Sequence, residues 1–513
     1  MANTAFKSYA KEHGGRVSLL FLLFLLAIYQ FINAGFNAFA IICILPFFII
    51  ALIGAFQYRM FLFWALCIVN YFIQFKSLPE LPIPQSLPNE LLEISLLVLA
   101  IIDVGTHQFE RTSNIMLLAL LLWCGFCTIE VLNDTCNIGI NIGAWYTGAR
   151  MLAFQLLYAF LVYILYINTP KLLFQYIVIW GVLAAFAVFW VWKQQYIGFT
   201  PSENAWLHSR GSSTHILMGG TLIRYFSIYS DAANFGIGMA STAVAFIIFA
   251  ITTRIVKHRF FFISIGICCI WAMFVSGTRT AIACLMAGFM AYIFLSKSFK
   301  IAIPFTIIFA IFVFMLAFTN IGNGNGQIRR MRSAFNRNDA SAGARSENQK
   351  TMKKYLQDAP WGIGIGSGYG SVPANNKYNL LSNIPADSEY VYVWIRTGII
   401  GITIFLIVHA IILFGACRIV FFTLKSSSLR GIGAGLCCAF ISQQLGGYGN
   451  QVLFQFPNCL IFYGGISLVF VLPHIEQQWI DYEGKLLVIQ NEKKRLKHEK
   501  RKQSRVETWF KWI

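Results

Sequence analysis

The chain has 513 residues, 57 % of them apolar and 12 % charged. Soluble domains are less apolar and carry about twice that share of charge, so the composition excludes a soluble globular protein and predicts an all-α polytopic integral membrane protein. The net charge of +19 is read as membrane topology and phospholipid contact rather than nucleic-acid binding, because the basic residues sit mainly in loops between apolar spans.

A transmembrane helix needs about 17 to 25 predominantly apolar residues. Runs of that kind predict about fourteen (12–14) transmembrane helices, near 17–34, 37–56, 59–75, 90–105, 115–132, 143–168, 171–198, 231–253, 259–277, 279–296, 299–319, 387–415, 429–448 and 454–472. A merged or re-entrant pair brings the number to twelve. The first run has no small-residue cleavage site after it and reads as a retained helix, not a signal peptide. Residues 76–89, with four prolines, read as a rigid external connection.

With the N-terminus in the cytoplasm, the short inside loops carry Arg59, Arg111, Lys171, the cluster Arg254, Lys257, His258 and Arg259, the pair Lys297 and Lys300, and Arg418, Lys425 and Arg430. The short outside loops 133–142 and 447–453 carry no Lys or Arg, as the positive-inside rule requires. Both termini are then cytoplasmic. The chain divides into helices 1–11 over 1–319, including an external loop at 199–230, then a large external periplasmic loop at 320–386, helices 12–14 over 387–472, and a basic cytoplasmic tail at 473–513. That tail holds a basic run from Glu492 to Arg505 and ends in Trp509, Phe510 and Trp512, a pattern that suits either docking on anionic lipid or a disordered charged tail. The twelve cysteines lie mostly inside apolar runs without the spacing of a zinc site or a disulfide framework, and read as small core residues.

Polar chemistry concentrates between Asn320 and Gly401, where Arg329, Arg330, Arg332, Arg337, Arg345, Lys350, Lys353 and Lys354 precede a glycine-rich stretch, Trp361 to Gly370, and then Asp387, Ser388 and Glu389. The other long external segment holds His208, Arg210, His215 and Arg224, and Arg279 lies in the tight link from Ser276 to Thr280. The glycine-rich stretch follows no strand and reads as a turn that lets backbone approach a substrate or the membrane rather than as a nucleotide loop. Arg150 and Arg396 fall within spans, where a charge costs on the order of 3 kcal/mol and so faces a cavity or a partner. Glu389 and Arg396 are two helical turns apart and share a face. Two readings stay open: ion pairs that hold the bundle, or a polar cavity opening outward, lined by Arg150, Arg279, Glu389 and Arg396.

Four stretches, in order, resemble the O-antigen ligase and O-antigen polymerase superfamily of bacterial envelope GT-C-type glycosyltransferases. Arg224 to Gly236 is similar to that family's helix entry, and Ser276-Gly277-Thr278-Arg279-Thr280 to its Ser-x-Ser-Arg link. Gly343-Ala344-Arg345, followed by Pro360-Trp361-Gly362-Ile363-Gly364, resembles its external-loop signature, and Asp387 to Gly401 its re-entry helix. The motifs cover roughly 220–405. Counted back from Gly398, Asp387 stands where the family commonly has a histidine.

The resemblance implies an inverting glycosyltransferase of the bacterial inner membrane, active in surface polysaccharide assembly at the periplasmic face. Its donor is a glycan on undecaprenyl diphosphate, and its acceptor is a hydroxyl of a growing glycan, a lipid A core or a protein. Guanidinium forks bind a departing diphosphate without a metal, and no DxD pair or His/Cys cluster points to a metal or other cofactor. The diphosphate-binding candidates are Arg224, Arg279 and Arg345, with Arg150 and Arg396. The base candidates are Asp387 and Glu389, if burial raises the pKa of one toward neutrality. The alternative is a lipid-linked oligosaccharide flippase or polysaccharide exporter, which also needs about a dozen spans but has little use for a long basic external loop.

Overall fold

The computed structural model describes residues 58–78, 86–105, 108–217, 222–297, 326–332, 340–383 and 388–510, with isolated positions between 15 and 54 and between 300 and 324. It forms two compact units, Met1–Ala65 and Leu66–Ile513. In the first, the described residues are scattered positions and the start of the helix Arg59–Phe72, where the rings of Phe63 and Trp64 meet edge-on at 5.0 Å. Everything below concerns the second unit.

Among the described residues the protein is 77 % helical with almost no strand. Among the described residues six helices are long and apolar enough to cross a membrane, or seven if Asn458–Val469 and the bent continuation from Leu472 count as one. The expected number of about fourteen is thus not reached among these residues. Arg59–Phe72 and Arg279–Leu295 are apolar but only 14 and 17 residues long. Most of the ranges 17–34, 37–56 and 299–319 lies outside the described residues.

The helices begin where the chain supplies an acceptor for their orphan amides. Asn114 Oδ1 accepts from Met116 N at 2.9 Å, and Asp231 Oδ1 accepts from Ala233 N and Asn234 N at 2.7 and 2.9 Å. Thr169, followed by Pro170, caps the 27-residue helix Pro170–Tyr196. The centre of the unit is Ala232–Thr252, most of whose span is buried by Val256–Val275, Arg279–Leu295 and Ser427–Gly449. Close approach there relies on small residues, as is usual where no water drives helices together. A Cβ on Gly288 would meet the Val244 side chain, and one on Gly435 the Phe249 ring. Gln443 Nε2 donates to Ser241 Oγ at 3.1 Å, which pairs two polar side chains inside the bundle.

Contacts across the helix ends sort the bundle into two ends. At one, Arg254 donates to Ser427 Oγ at 3.0 Å, Lys297 lies 4.1 Å above the Phe421 ring, and Lys425 and Ser426 donate their amides to Glu476 at 2.7 Å. From this end the helix Leu472–Phe510 departs, bent by 81° from Asn458–Val469, and its Gln490 accepts from Val256 N at 2.8 Å. At the opposite end lie Asp231, the 276–280 turn, Ser388, Glu389 and the loop 450–457. Asn450 there donates to Thr280 Oγ1 at 3.2 Å and Ser388 Oγ to Gly447 O at 3.0 Å.

The glycine-rich stretch approaches protein, not open space. Ile363 N donates to Ile395 O at 2.9 Å and Gly364 N to Arg396 O at 3.0 Å, filling hydrogen-bond positions left at a break in the helix Glu389–Arg418. The break is at Gly398, with φ 64° and ψ −166°. These bonds form a clasp across a helix break, and Trp361 of the same stretch stacks on Phe126 at 5.8 Å.

Candidate functional site

At the end carrying Asp231, three arginines from three separate stretches meet around one turn. Arg224 follows the two-residue hairpin Ile216–Leu217 and Leu222–Ile223. Its guanidinium donates to Thr214 O and to Thr278 Oγ1, both at 3.0 Å, while Thr278 Oγ donates on to Ala232 O at 2.7 Å. Arg330, on the short helix Gly326–Arg332, donates Nε–H to Gly277 O at 2.8 Å, and its Cδ and the Arg224 Cγ each lie 3.5 Å from where a Gly277 Cβ would stand. Arg279 opens the helix Arg279–Leu295 directly after Thr278. Burial, then the fields of Arg224 and Arg279, lower the Arg330 pKa to about 10. All three cations remain charged at neutral pH in a partly dehydrated place, an arrangement that favours a multivalent anion.

A polar collar holds this end together. The Ser230 hydroxyl lies between Asp231 Oδ2, at 2.9 Å, and Gln455 Oε1. Asn234 Nδ2 donates to Phe456 O at 2.8 Å, and Asn458 Nδ2 to Asn234 O at 3.0 Å. His215 belongs to the same collar. Its Nε2 accepts from Ala232 N at 3.0 Å, so the proton is on Nδ1, facing Gly211 O at 3.2 Å and Thr214 Oγ1 at 2.7 Å.

Burial, and then Arg224, lower the His215 pKa from 6.5 to about 4. The neutral ring thus contributes stability that is present above pH 6.5 and is lost as pH falls from 6.5 toward 4, by at most about 3 kcal/mol. The melting temperature of the detergent-solubilised protein is expected to drop across that window. In His215→Gln, which keeps an acceptor near Nε2, the drop should flatten; an unchanged acid slope would show that His215 does not set it.

The structure brings only two of the sequence-selected arginines, Arg224 and Arg279, to this turn. Arg345 lies on the helix Ala340–Leu356, with its side chain outside the described residues. Arg150 starts a π-helical turn and forms an ion pair with Glu90 at 3.1 Å. Arg396 is buried with its guanidinium 5.1 Å above the Tyr392 ring, at the Gly398 break. Asp387 lies outside the described residues. Glu389 is buried, and its Oε2 accepts from Leu453 N at 2.9 Å, with the amides of Val452 and Phe454 beside it. Glu389 and Arg396 share a face, as expected, but each has its own partner.

Arg330 is the member of this cluster that sequence reasoning did not select. In the sequence it stands level with its neighbours Arg329, which is exposed, and Arg332, which donates to Ile321 O at 2.8 Å. Only the docking of its helix on the 275–278 turn, where Gln327 also donates to Val275 O at 3.3 Å, separates the three. Thr278 had a sequence signal, since it precedes Arg279 in the link.

The described residues thus form a helical bundle with helices long and apolar enough to cross a membrane and a cluster of guanidinium groups at one end. Residues 261–406 match the O-antigen ligase family model. The match spans Arg279, Arg330, Arg345, Glu389 and Arg396; Arg224 and the 450–458 loop lie beyond it. The sequence matches no curated protein. The family and the apolar helices together indicate a multi-pass bacterial membrane protein of glycosyltransferase type, acting in surface polysaccharide assembly.

Proposed function

We propose that the chain transfers a glycan from undecaprenyl diphosphate to a hydroxyl acceptor at the periplasmic face of the inner membrane, with Arg224, Arg279 and Arg330 holding the diphosphate. The observation that carries this reading is the meeting of three guanidinium groups around the 276–280 turn. Orientation is supported by the opposite end of the bundle, where Arg254, Lys257, Arg259, Lys297, Lys425 and Arg430 gather, as cytoplasmic loops do. That end carries the helix Leu472–Phe510, whose basic residues then face the cytoplasmic leaflet.

In the proposed step the acceptor oxygen bonds to the anomeric carbon as the bond from that carbon to the diphosphate oxygen breaks, with inversion. The bond electrons leave with undecaprenyl diphosphate, whose growing charge the guanidinium forks stabilise. The acceptor proton passes to a carboxylate at the start of the helix Glu389–Arg418. Glu389 is committed to main-chain amides of 452–454, which favours Asp387 as base and Glu389 as a positioning residue. Arg345 stays a fourth candidate ligand. Arg150 and Arg396, each with a local partner, are assigned to holding the bundle.

The alternative, a flippase or exporter, is separated by reconstitution. In proteoliposomes supplied with lipid-linked glycan and acceptor, the transferase reading predicts glycan on the acceptor together with released undecaprenyl diphosphate. Donor that changes leaflet with no new glycosidic bond would refute it.

A further inference from the structure

We propose that the cleft between the end of the helix Ile115–Ile129 and Trp361 is a subsite for a neutral pyranose of the glycan, on the reading that the chain is a glycan transferase. The cleft holds about 290 Å³ and is lined by Glu130, Leu132, Asn133, Asp134, Thr135 and Trp361, together with Ile129. A smaller hollow of about 160 Å³ continues from the same three residues, Glu130, Asn133 and Asp134, toward Ile363 and Ser367.

The walls are set before any ligand arrives. Asn133 Nδ2 donates to Glu130 Oε2 and to Trp361 O, both at 2.8 Å, tying the helix end to the clasp. Asn133 Oδ1 accepts from Thr135 Oγ at 2.7 Å, and Asp134 Oδ1 accepts from Ile138 N and Gly139 N at 2.9 and 3.1 Å. Trp361 is fixed by its near-parallel stacking on Phe126, at 5° between planes, yet is 40 % exposed. The same clasp bonds to Ile395 and Arg396, on the helix that starts at Glu389.

What this fixed wall presents is a combination that suits a sugar ring. An exposed indole offers a flat apolar surface to the C–H face of a pyranose. Glu130 is 3 % exposed, and its Oε1 has no hydrogen-bond partner among the described residues. A buried acceptor left unmatched costs free energy that a donated hydroxyl proton offsets. Asp134, which also lines the cleft, adds a second carboxylate. The lining residues include no Lys, Arg or His, and the Asp134 carboxylate repels a phosphate or an acidic sugar, so the ligand class is neutral and rich in hydroxyls.

The test uses the water-soluble oligosaccharide released by mild acid from the host's own lipid-linked donor, added to the full-length protein in nanodiscs and followed by saturation-transfer NMR. Wild type is expected to saturate C–H protons of a neutral sugar residue. Trp361→Ala should weaken binding about tenfold, Glu130→Gln several-fold, and Trp361→Phe should restore most of it. If Trp361→Ala does not fold, Glu130→Gln, which keeps the acceptor for Asn133, decides alone. No saturation in wild type, or wild-type binding in both Trp361→Ala and Glu130→Gln, overturns the subsite. Transfer in proteoliposomes without oligosaccharide binding would sink the subsite and leave the transferase reading standing. Binding without transfer would do the reverse.

Discussion

Arg330→Ala is expected to lower the rate of glycan transfer by about 10²- to 10³-fold, the loss typical when one fixed donor to a developing oxyanion is removed. The expected stability change is small. Arg330 has its pKa lowered to about 10 by burial and by Arg224 and Arg279, so in the ligand-free protein it sits against like charge. Truncating it removes that repulsion along with the bond from Nε to Gly277 O, and the two changes oppose each other. Activity and melting temperature should therefore separate, as they do where a site is held in a strained charge state for function. Arg224→Ala and Arg279→Ala are expected to match the loss of transfer. Arg224→Ala should also cost stability, because its guanidinium ties Thr214 to Thr278. Lysine replacements should recover only part of the rate, since an ammonium lacks the planar fork. The measurement is initial rate in proteoliposomes beside thermal melts of the same preparations. Wild-type rates in Arg279→Ala and Arg330→Ala would remove the clamp.

Gly398→Ala is expected to be the most damaging substitution to folding among the described residues discussed. Its φ of 64° with ψ of −166° belongs to a region open in practice only to glycine, and a side chain there costs on the order of 3 kcal/mol. A Cβ would also fall inside contact distance of Pro360 O, the acceptor of Ile400 N at 3.3 Å, and of Gly362 N. Gly362 has φ 72° and lies against the same backbone, so Gly362→Ala should act in the same direction. Both variants are expected to insert into the membrane poorly and to melt well below wild type. A Gly398→Ala protein with wild-type melting temperature would show that the clasp and the break are not needed for the fold.

Several features were legible in the sequence because they depend on local rules. The range 231–253 became Ala232–Thr252, since Asp231 is a strong capping residue and the apolar run ends at Thr253 and Arg254. The range 143–168 became one span, Ile142–Tyr166, which passes through a π-helical turn at Arg150–Phe154, a feature with no local signature. Arg224 and Arg279 were legible through short motifs. Long-range pairings were not: Glu90 answers Arg150 across sixty positions, and Asn133 reaches Trp361 across more than two hundred. The glycine-rich stretch shows how the same residues read differently once their partners are known. Gly362 and Gly366 are required by close approach to other helices, which no local pattern distinguishes from close approach to a ligand.

The central claim, that the arginines at the 276–280 turn hold a prenyl-linked diphosphate, is tested most directly by the affinity of the protein for undecaprenyl diphosphate in nanodiscs. Wild type is expected to bind it, with affinity falling as salt rises. Arg224→Ala and Arg330→Ala should each weaken binding by about tenfold or more, in line with the loss of one charge-assisted hydrogen-bonding group. Equal affinity in wild type and both variants, at low and high salt, would contradict the account.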